Sequence, residues 1–106
     1  MDHEDDDPPV PLQVTIDLRP VNDIHQLHTV LRRELNFPSW TGRNWDAFND
    51  VINGMIELPA DVTLVGWSHL VTTLTQDARI LRELLDRYEE RHFGSPGWEA
   101  RFRYEE

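Results

Sequence analysis

Apolar residues recur along this chain with two different periods, and the change of period marks the predicted elements. Residues 12–18 alternate between apolar and polar, which predicts a strand with one buried face. From about Asn22 to Asn36, leucine and isoleucine recur at helical spacing, and Asn22 or Asp23 provides the cap. We expect this helix to close at Phe37-Pro38, because the residue before a proline avoids helical backbone angles.

The remaining pattern predicts two more strands and three more helices, separated by polar or glycine-rich loops. These are a loop over 39–43, a helix over 44–53 capped by Asn44, a strand over 62–67, a short helix over 68–74 capped by Ser68, a long helix from 75 to about 88, a loop over 94–97 and a strand over 100–104. Helices between successive strands predict an α/β protein with a three-stranded, mainly parallel sheet and about four helices. The strand over 62–67 is almost wholly apolar, so we expect it to be covered on both faces.

The length of 106 residues favours a single domain with one hydrophobic core. Residues 1–9 hold five acids and no base, and they bury too little apolar surface to offset the entropy of ordering. We therefore predict a disordered acidic tail over 1–9 and a folded domain over 10–106. The domain itself remains acidic, because it carries fifteen acids against ten arginines.

The formal net charge of −10 argues against nucleic acids and anionic membranes as partners. It favours a basic protein partner, although acidity also serves solubility. The chain has no cysteine, which excludes thiol catalysis, disulfides and cysteine metal sites. The acidic N-terminus does not resemble a signal peptide, and no apolar run approaches the ~18 residues of a membrane helix. We therefore expect a cytoplasmic protein.

One face of the second helix carries Asp46, Asn49, Asp50 and Asn53, spaced i, i+3, i+4 and i+7. Asp and Asn are poor helix formers, and two aspartates four residues apart repel each other by about a few tenths of a kcal/mol. A face selected for helix stability would carry Glu, Lys or Arg instead. The stripe indicates short carboxylates presented to a partner at fixed positions, and an ordinary solvated helix face is the alternative.

Other chemistries fit these residues less well, and no cofactor or metal is expected. Acid–base catalysis by Asp46 and Asp50 lacks a placed nucleophile and a phosphate loop, and two carboxylates are too few to hold a hard cation. His25 and His28 share a helix face, but two imidazoles do not make a zinc site, so we expect surface or partly packed histidines. Trp40 lies in a loop beside the acidic stripe, where an exposed aromatic is typical of an interface anchor.

The segment from Leu27 to Asp50 resembles the barstar family. The family pattern has a leucine-rich helix, a proline–aromatic loop, a glycine, then Asn, an apolar residue, Asp-Ala, two further residues and Asp. This chain has them at Pro38, Trp40, Gly42, Asn44, Trp45, Asp46-Ala47 and Asp50, followed by Gly54 and Pro59 at matching spacing. Residues match the family pattern closely from 12 to 67. After residue 67, only the order of helix and strand agrees with the family.

The resemblance implies a three-stranded parallel sheet and a protein, not an enzyme, that blocks the active site of a secreted basic ribonuclease inside the producing cell. In such proteins the acidic helix enters the site that holds RNA phosphates. Asp50 would be the main phosphate mimic and Asp46 a second acidic contact, with Trp40 and Thr41-Gly42 adjoining them. We predict a monomer whose partner-binding residues are Trp40, Thr41, Gly42, Asn44, Asp46, Asn49, Asp50 and Asn53.

This chain also departs from the family pattern. Thr41, Asn49 and Met55 stand where the family has aromatic residues, which leaves the identity of the target ribonuclease open. The family also uses a glutamate of a late helix. Candidates for that position are Asp86, Glu89 and Glu90. Two alternatives stay open, namely an immunity protein or antitoxin of another toxin, and an acidic adaptor for another basic protein.

Overall fold

The computed structural model describes residues 12–106 and contains three strands and four helices in the predicted order. In chain order they are β1 (Gln13–Asp17), α1 (Ile24–Glu34), α2 (Trp45–Gly54), β2 (Asp61–Val65), α3 (Trp67–Thr73), α4 (Thr75–Arg91) and β3 (Arg101–Glu105). The predicted α/β class and number of elements are confirmed. The predicted acidic tail over 1–9 lies outside the described residues.

The three strands form one parallel sheet with β2 in the centre. Side chains alternate between the two faces of a strand, so the register decides which residues share a face. The rows Val14–Val62–Phe102 and Ile16–Leu64–Tyr104 lie on one face and pack into the core. The helices pack against this face of the sheet.

The prediction that the central strand is covered on both faces is wrong. On the opposite face of the sheet, Thr63 and Val65 of β2 are half-buried, and their neighbours on β1 and β3 are exposed. Within residues 12–106, no helix covers this face. The partial burial of β2 comes from its central place between two strands, which shield its side chains laterally. The apolar run therefore reflects the centre of a one-sided sheet.

A single core joins the inner sheet face to α1, α2, α3 and α4. Its buried apolar residues include Leu27 and Leu31 of α1, Phe48 and Ile52 of α2, Leu70 of α3, and Leu81, Leu85 and Tyr88 of α4. Helix α2 thus buries one side against the core and turns its other side outward.

Helix α1 ends two residues before the predicted limit. Asn36 adopts a left-handed conformation with φ of 59°, which asparagine tolerates better than most residues. The N–H of Asn36 donates to the carbonyl oxygen of Arg33 at 3.3 Å, and that of Phe37 donates to the carbonyl oxygen of Arg32 at 2.9 Å. This pair of bonds satisfies the last carbonyls of α1 and directs the chain into the loop before α2.

The turn between β2 and α3 depends on Gly66, and Ser68 does not cap α3 as predicted. Gly66 has φ of 84°, and a Cβ atom there would lie 2.6 Å from Cγ of Arg19. A larger residue would therefore clash as well as strain the backbone. The chain enters the helix one residue early at Trp67, so the hydroxyl of Ser68 is free to bond the carboxylate of Glu106.

Candidate protein-binding surface

Asn44 sets the start of α2 as predicted. Its Oδ1 accepts a hydrogen bond from the backbone N–H of Ala47 at 2.7 Å, which satisfies one of the free donors of the first turn. Gly42 lies close to this cap, since a Cβ atom on it would approach Nδ2 of Asn44 to 3.2 Å. The loop therefore approaches the helix end closely, and this fixes the position of α2 relative to the preceding loop.

Trp45 ties α2 to two other helices. Its ring lies 4.4 Å from that of His28 in α1 and 5.5 Å from that of Phe48, measured between centroids. Its indole Nε1 donates to Oδ1 of Asp77 in α4 at 3.0 Å. These contacts hold the N-terminal turn of α2 rigidly, so the outward side chains of that turn have fixed positions.

His28 differs from the expectation of a surface or partly packed histidine. It is buried, with 3% of its surface exposed, because Trp45 lies across its ring. Burial lowers the pKa of His28, and the nearby carboxylate of Asp77 opposes that shift. His28 is therefore a core residue beneath α2, whereas His25 is exposed.

Asp46 and Asp50 are exposed on the outward side of α2. Asp46 lies in the first turn, where the helix N-terminus stabilises a negative charge. Asp50 lies one turn further along and has less of this stabilisation. Among residues 12–106, no arginine or histidine nitrogen lies within 4.0 Å of either carboxylate. The two carboxylates thus have no ion partner within the described part of the chain.

The two asparagines of the stripe have internal hydrogen bonds and are half-buried. Nδ2 of Asn53 donates to the backbone oxygen of Asn49 at 2.8 Å and to its Oδ1 at 3.0 Å. On its other side, Oδ1 of Asn53 lies 3.2 Å from Nε2 of His92, at the end of α4. The stripe is therefore divided into two exposed carboxylates and two asparagines that lie along the contact with α4.

Trp40 is 74% exposed, as predicted, and its role as an interface anchor stays a prediction. Its loop is held from below by Arg32 of α1. The guanidinium donates through Nη1 to the backbone oxygen and Oγ1 of Thr41, both at 2.6 Å, and through Nη2 to the backbone oxygen of Ser39 at 3.2 Å. A planar guanidinium with several donors suits a loop that presents several oxygens on one side.

The eight predicted partner-binding residues lie in the loop before α2 and on α2 itself, and they have different roles in the structure. Trp40, Asp46 and Asp50 are exposed and have no side-chain hydrogen bond within residues 12–106. The other five hold the surface together or lie within it: Thr41 and Gly42 by accepting from Arg32, Asn44 by capping, and Asn49 and Asn53 by bonding to each other. Sequence reasoning missed the contributions of Arg32, Asp77 and His92.

Two of the late acids, Asp86 and Glu89, lie near Tyr104 of β3. Nε of Arg82 lies 3.7 Å from Oδ1 of Asp86, and the guanidinium lies 3.7 Å above the ring of Tyr104. Burial raises the pKa of Tyr104, and the charges of Asp86 and Glu89 add to this shift while Arg82 opposes it. Asp86, Glu89 and Glu90 all line one shallow hollow with the exposed Phe93.

Helix α2 packs on a different side of α4, through Asp77 and His92. At 3.6 residues per turn, Asp86 is about half a turn around the helix from Asp77. Asp86 therefore lies on a different side of α4 from the contacts with α2, whereas Glu89 lies within one turn of His92. A contact of Glu89 or Glu90 with the partner stays a prediction.

Residues 12–106 contain no group of three or more histidines, aspartates or glutamates placed to hold a metal ion. None of their helices combines the length and the apolar character that crossing a bilayer requires.

The fold and this surface define a class of protein, an α/β domain that presents a rigid acidic helix beside an exposed tryptophan. Comparison with known proteins identifies the family. Residues 12–103 match the family described as Barstar (barnase inhibitor). A Bacillus subtilis (strain 168) protein named "Putative ribonuclease inhibitor YrdF" is 32% identical over 78 residues, which cover 74% of this chain and 86% of that protein. The chain therefore belongs to the barstar family.

Proposed function

We propose that this protein inhibits a basic ribonuclease by inserting the outward side of α2 into the active site in place of an RNA phosphate. The supporting observation is Asp50, an exposed carboxylate on a rigid helix with no cation within 4.0 Å among the described residues. Membership of the barstar family and a relative named as a ribonuclease inhibitor support the same role.

The chemistry of a ribonuclease active site explains why such a helix inhibits it. The site gathers cationic side chains around the scissile phosphate, and a carboxylate forms short, charge-assisted hydrogen bonds with those cations. The two α2 carboxylates gain this stabilisation on binding, because no cation within the described chain competes for them. Net charge of −10 also accelerates the encounter with a cationic enzyme.

Each element of the surface then has a defined task. Asp50 replaces the phosphate and Asp46 meets a second cation. Trp40 anchors the interface beside the two carboxylates and excludes water from them, which strengthens the charged contacts. Arg32 and Trp45 hold the loop and the helix in place before the partner arrives, so little conformational entropy is lost on binding. The protein acts as a monomer in the cytoplasm of the producing cell, with no catalytic role of its own.

The test is inhibition of a panel of small basic ribonucleases that includes barnase, by wild type and by Asp50→Ala. We expect Asp50→Ala to weaken inhibition by about 2–5 kcal/mol, more than thirtyfold, a range that rests in part on the barnase–barstar pair of this same family. Asp86→Ala is the matched control, because Asp86 already pairs with Arg82. Inhibition by wild type should weaken as salt rises.

Two results would count against the proposal. Equal inhibition by wild type and Asp50→Ala would remove Asp50 from the interface. A wild-type protein that inhibits no ribonuclease of the panel would favour an antitoxin of another toxin or an acidic adaptor.

A further inference from the structure

We infer that Asn49 determines partner specificity at the edge of the α2 surface nearest α4, by offering amide N–H donors to an oxygen acceptor on the ribonuclease. A chain of hydrogen bonds from His92 through Asn53 holds Asn49 in the required orientation. This inference rests on the proposed function and names what the partner must present opposite α2.

The orientation of the Asn53 amide follows from one contact. Its Nδ2 lies 2.8 Å from the backbone oxygen of Asn49, and a carbonyl oxygen accepts but cannot donate. The nitrogen end of the amide therefore faces Asn49, and the oxygen end faces Nε2 of His92 at 3.2 Å. Because that oxygen also accepts only, Nε2 of His92 must carry the hydrogen.

The orientation of the Asn49 amide follows from its contact with Asn53. Its Oδ1 accepts from Nδ2 of Asn53 at 3.0 Å, so its own NH2 group points away from Asn53. Within residues 12–106 this NH2 group has no hydrogen-bond partner, and the one buried side-chain polar atom without a partner is the hydroxyl of Tyr104. The NH2 group of Asn49 therefore reaches solvent.

Aromatic contacts hold the ring of His92, which begins this chain of hydrogen bonds. Its ring stacks on Trp98 with centroids 5.4 Å apart and planes inclined by 19°, and it lies 4.3 Å from the ring of Tyr88. Tyr88 in turn donates its hydroxyl hydrogen to the backbone oxygen of Trp98 at 2.8 Å. The loop before β3 and the end of α4 thus hold the imidazole, which holds Asn53.

Asn49 neighbours the two carboxylates but makes the opposite chemical demand, since Asp46 precedes it by about one helical turn and Asp50 follows it directly. The carboxylates accept hydrogen bonds from cations, whereas Asn49 donates. The complementary partner has a carbonyl or carboxylate oxygen beside basic side chains. A partner that places a donor or a third cation at this point leaves the amide hydrogens unpaired and binds more weakly.

The test measures the affinity of four variants for barnase and the other ribonucleases of the panel. Asn49→Ala should weaken binding by about tenfold, and Asn49→Asp, which replaces the donor with an acceptor, by more. The control pair is Gln76→Ala and Gln76→Glu, which makes the same chemical changes at an exposed position of α4 and should leave affinity unchanged.

The positioning role of His92 has its own readout. His92→Phe keeps an aromatic ring against Trp98 but removes the donor, and we expect it to weaken binding by about threefold to fivefold. His92→Gln restores a donor of similar reach and should recover most of that loss. Thermal unfolding of both variants separates an effect on binding from an effect on folding. If the role of His92 were merely structural, the loss of affinity would correlate with the melting temperature and not with the presence of a hydrogen-bond donor.

A measurement without any partner tests the chain of bonds directly. The ¹⁵N chemical shifts of the His92 ring above neutral pH should report hydrogen on Nε2, and hydrogen on Nδ1 would overturn the assignment. Wild-type affinity that survives Asn49→Ala would overturn the specificity role alone. Failure of the wild type to bind any ribonuclease would instead contradict the proposed function, and the tautomer measurement would still stand on its own.

Discussion

Helices α2 and α4 both carry acidic residues on their outer sides, but the chain treats the two sets of charges differently. Helix α4 has five acids and four arginines, and Arg82 pairs with Asp86 while it covers the ring of Tyr104. Helix α2 has two aspartates and no base. In α4, Asp86 has an ion partner and Asp77 accepts from Trp45, whereas Asp46 and Asp50 of α2 have no partner within residues 12–106. The arginines of α4 also lower the net charge of that helix, so α2 concentrates its negative charge without a cation of its own.

After Asp50, the largest effect on inhibition is expected from Trp40, the exposed aromatic beside α2, and Phe93 beside the acids of α4 provides the comparison. Trp40 and Phe93 are 74% and 80% exposed, so neither contributes much to the core. We predict that Trp40→Ala weakens inhibition by about 2 kcal/mol, roughly thirtyfold, and that Phe93→Ala has little effect. Enzyme inhibition and thermal unfolding of both variants measure this. If Phe93→Ala were the more harmful, the α4 side would be the interface.

A smaller effect is expected from the support beneath the Trp40 loop. Arg32→Lys keeps the charge but loses the planar group that reaches Ser39 and Thr41, so we predict a loss of about 1–2 kcal/mol in unfolding free energy together with weaker inhibition. Arg33→Lys is the control, because exposed Arg33 pairs with its neighbour Glu34. Urea unfolding measures both. Equal stability of the two variants would mean that the loop before α2 does not depend on the hydrogen bonds of Arg32.

The smallest expected effect is a pH dependence of stability from His28. Burial lowers its pKa in the folded state, so the unfolded chain takes up the proton first as the pH falls below the ordinary value of about 6.5. The contribution of neutral His28 is therefore complete above that pH and is lost progressively below it. His28→Phe keeps an aromatic ring against Trp45 and should reduce this dependence. Urea unfolding at several pH values between 7.5 and 5 is the measurement, and an unchanged slope in the variant would assign the dependence to other groups.

The elements, their order and the exposure of Trp40, Asp46 and Asp50 could be predicted from the sequence, because they depend on local periodicity and on residue type. The start of α2 follows from Asn44 alone, a cap that bonds within its own first turn. The open face of the sheet could not be predicted in this way. An apolar central strand has the same pattern whether helices cover one face or both, and the difference arises from where the helices pack.

The support of the surface could not be predicted either, because it depends on contacts between residues far apart in sequence. Asp77 lies 32 residues from its partner Trp45, and His92 lies 39 residues from Asn53. The sequence marks each of these residues as an ordinary polar position on α4 or its end. The pairing of Asp86 with Arg82, which packs on the ring of Tyr104, likewise could not be predicted from the sequence, because Tyr104 lies on β3.

We propose that α2 and the Trp40 loop, more than the outer side of α4, meet a ribonuclease. Amide ¹H–¹⁵N NMR spectra of the ¹⁵N-labelled protein, recorded before and after addition of the ribonuclease that it inhibits most strongly, test this directly. We predict that the largest shifts fall within residues 40–53, with smaller changes at residues 82–90. Shifts concentrated at Asp86, Glu89 and Glu90 with residues 40–53 unaffected would contradict it.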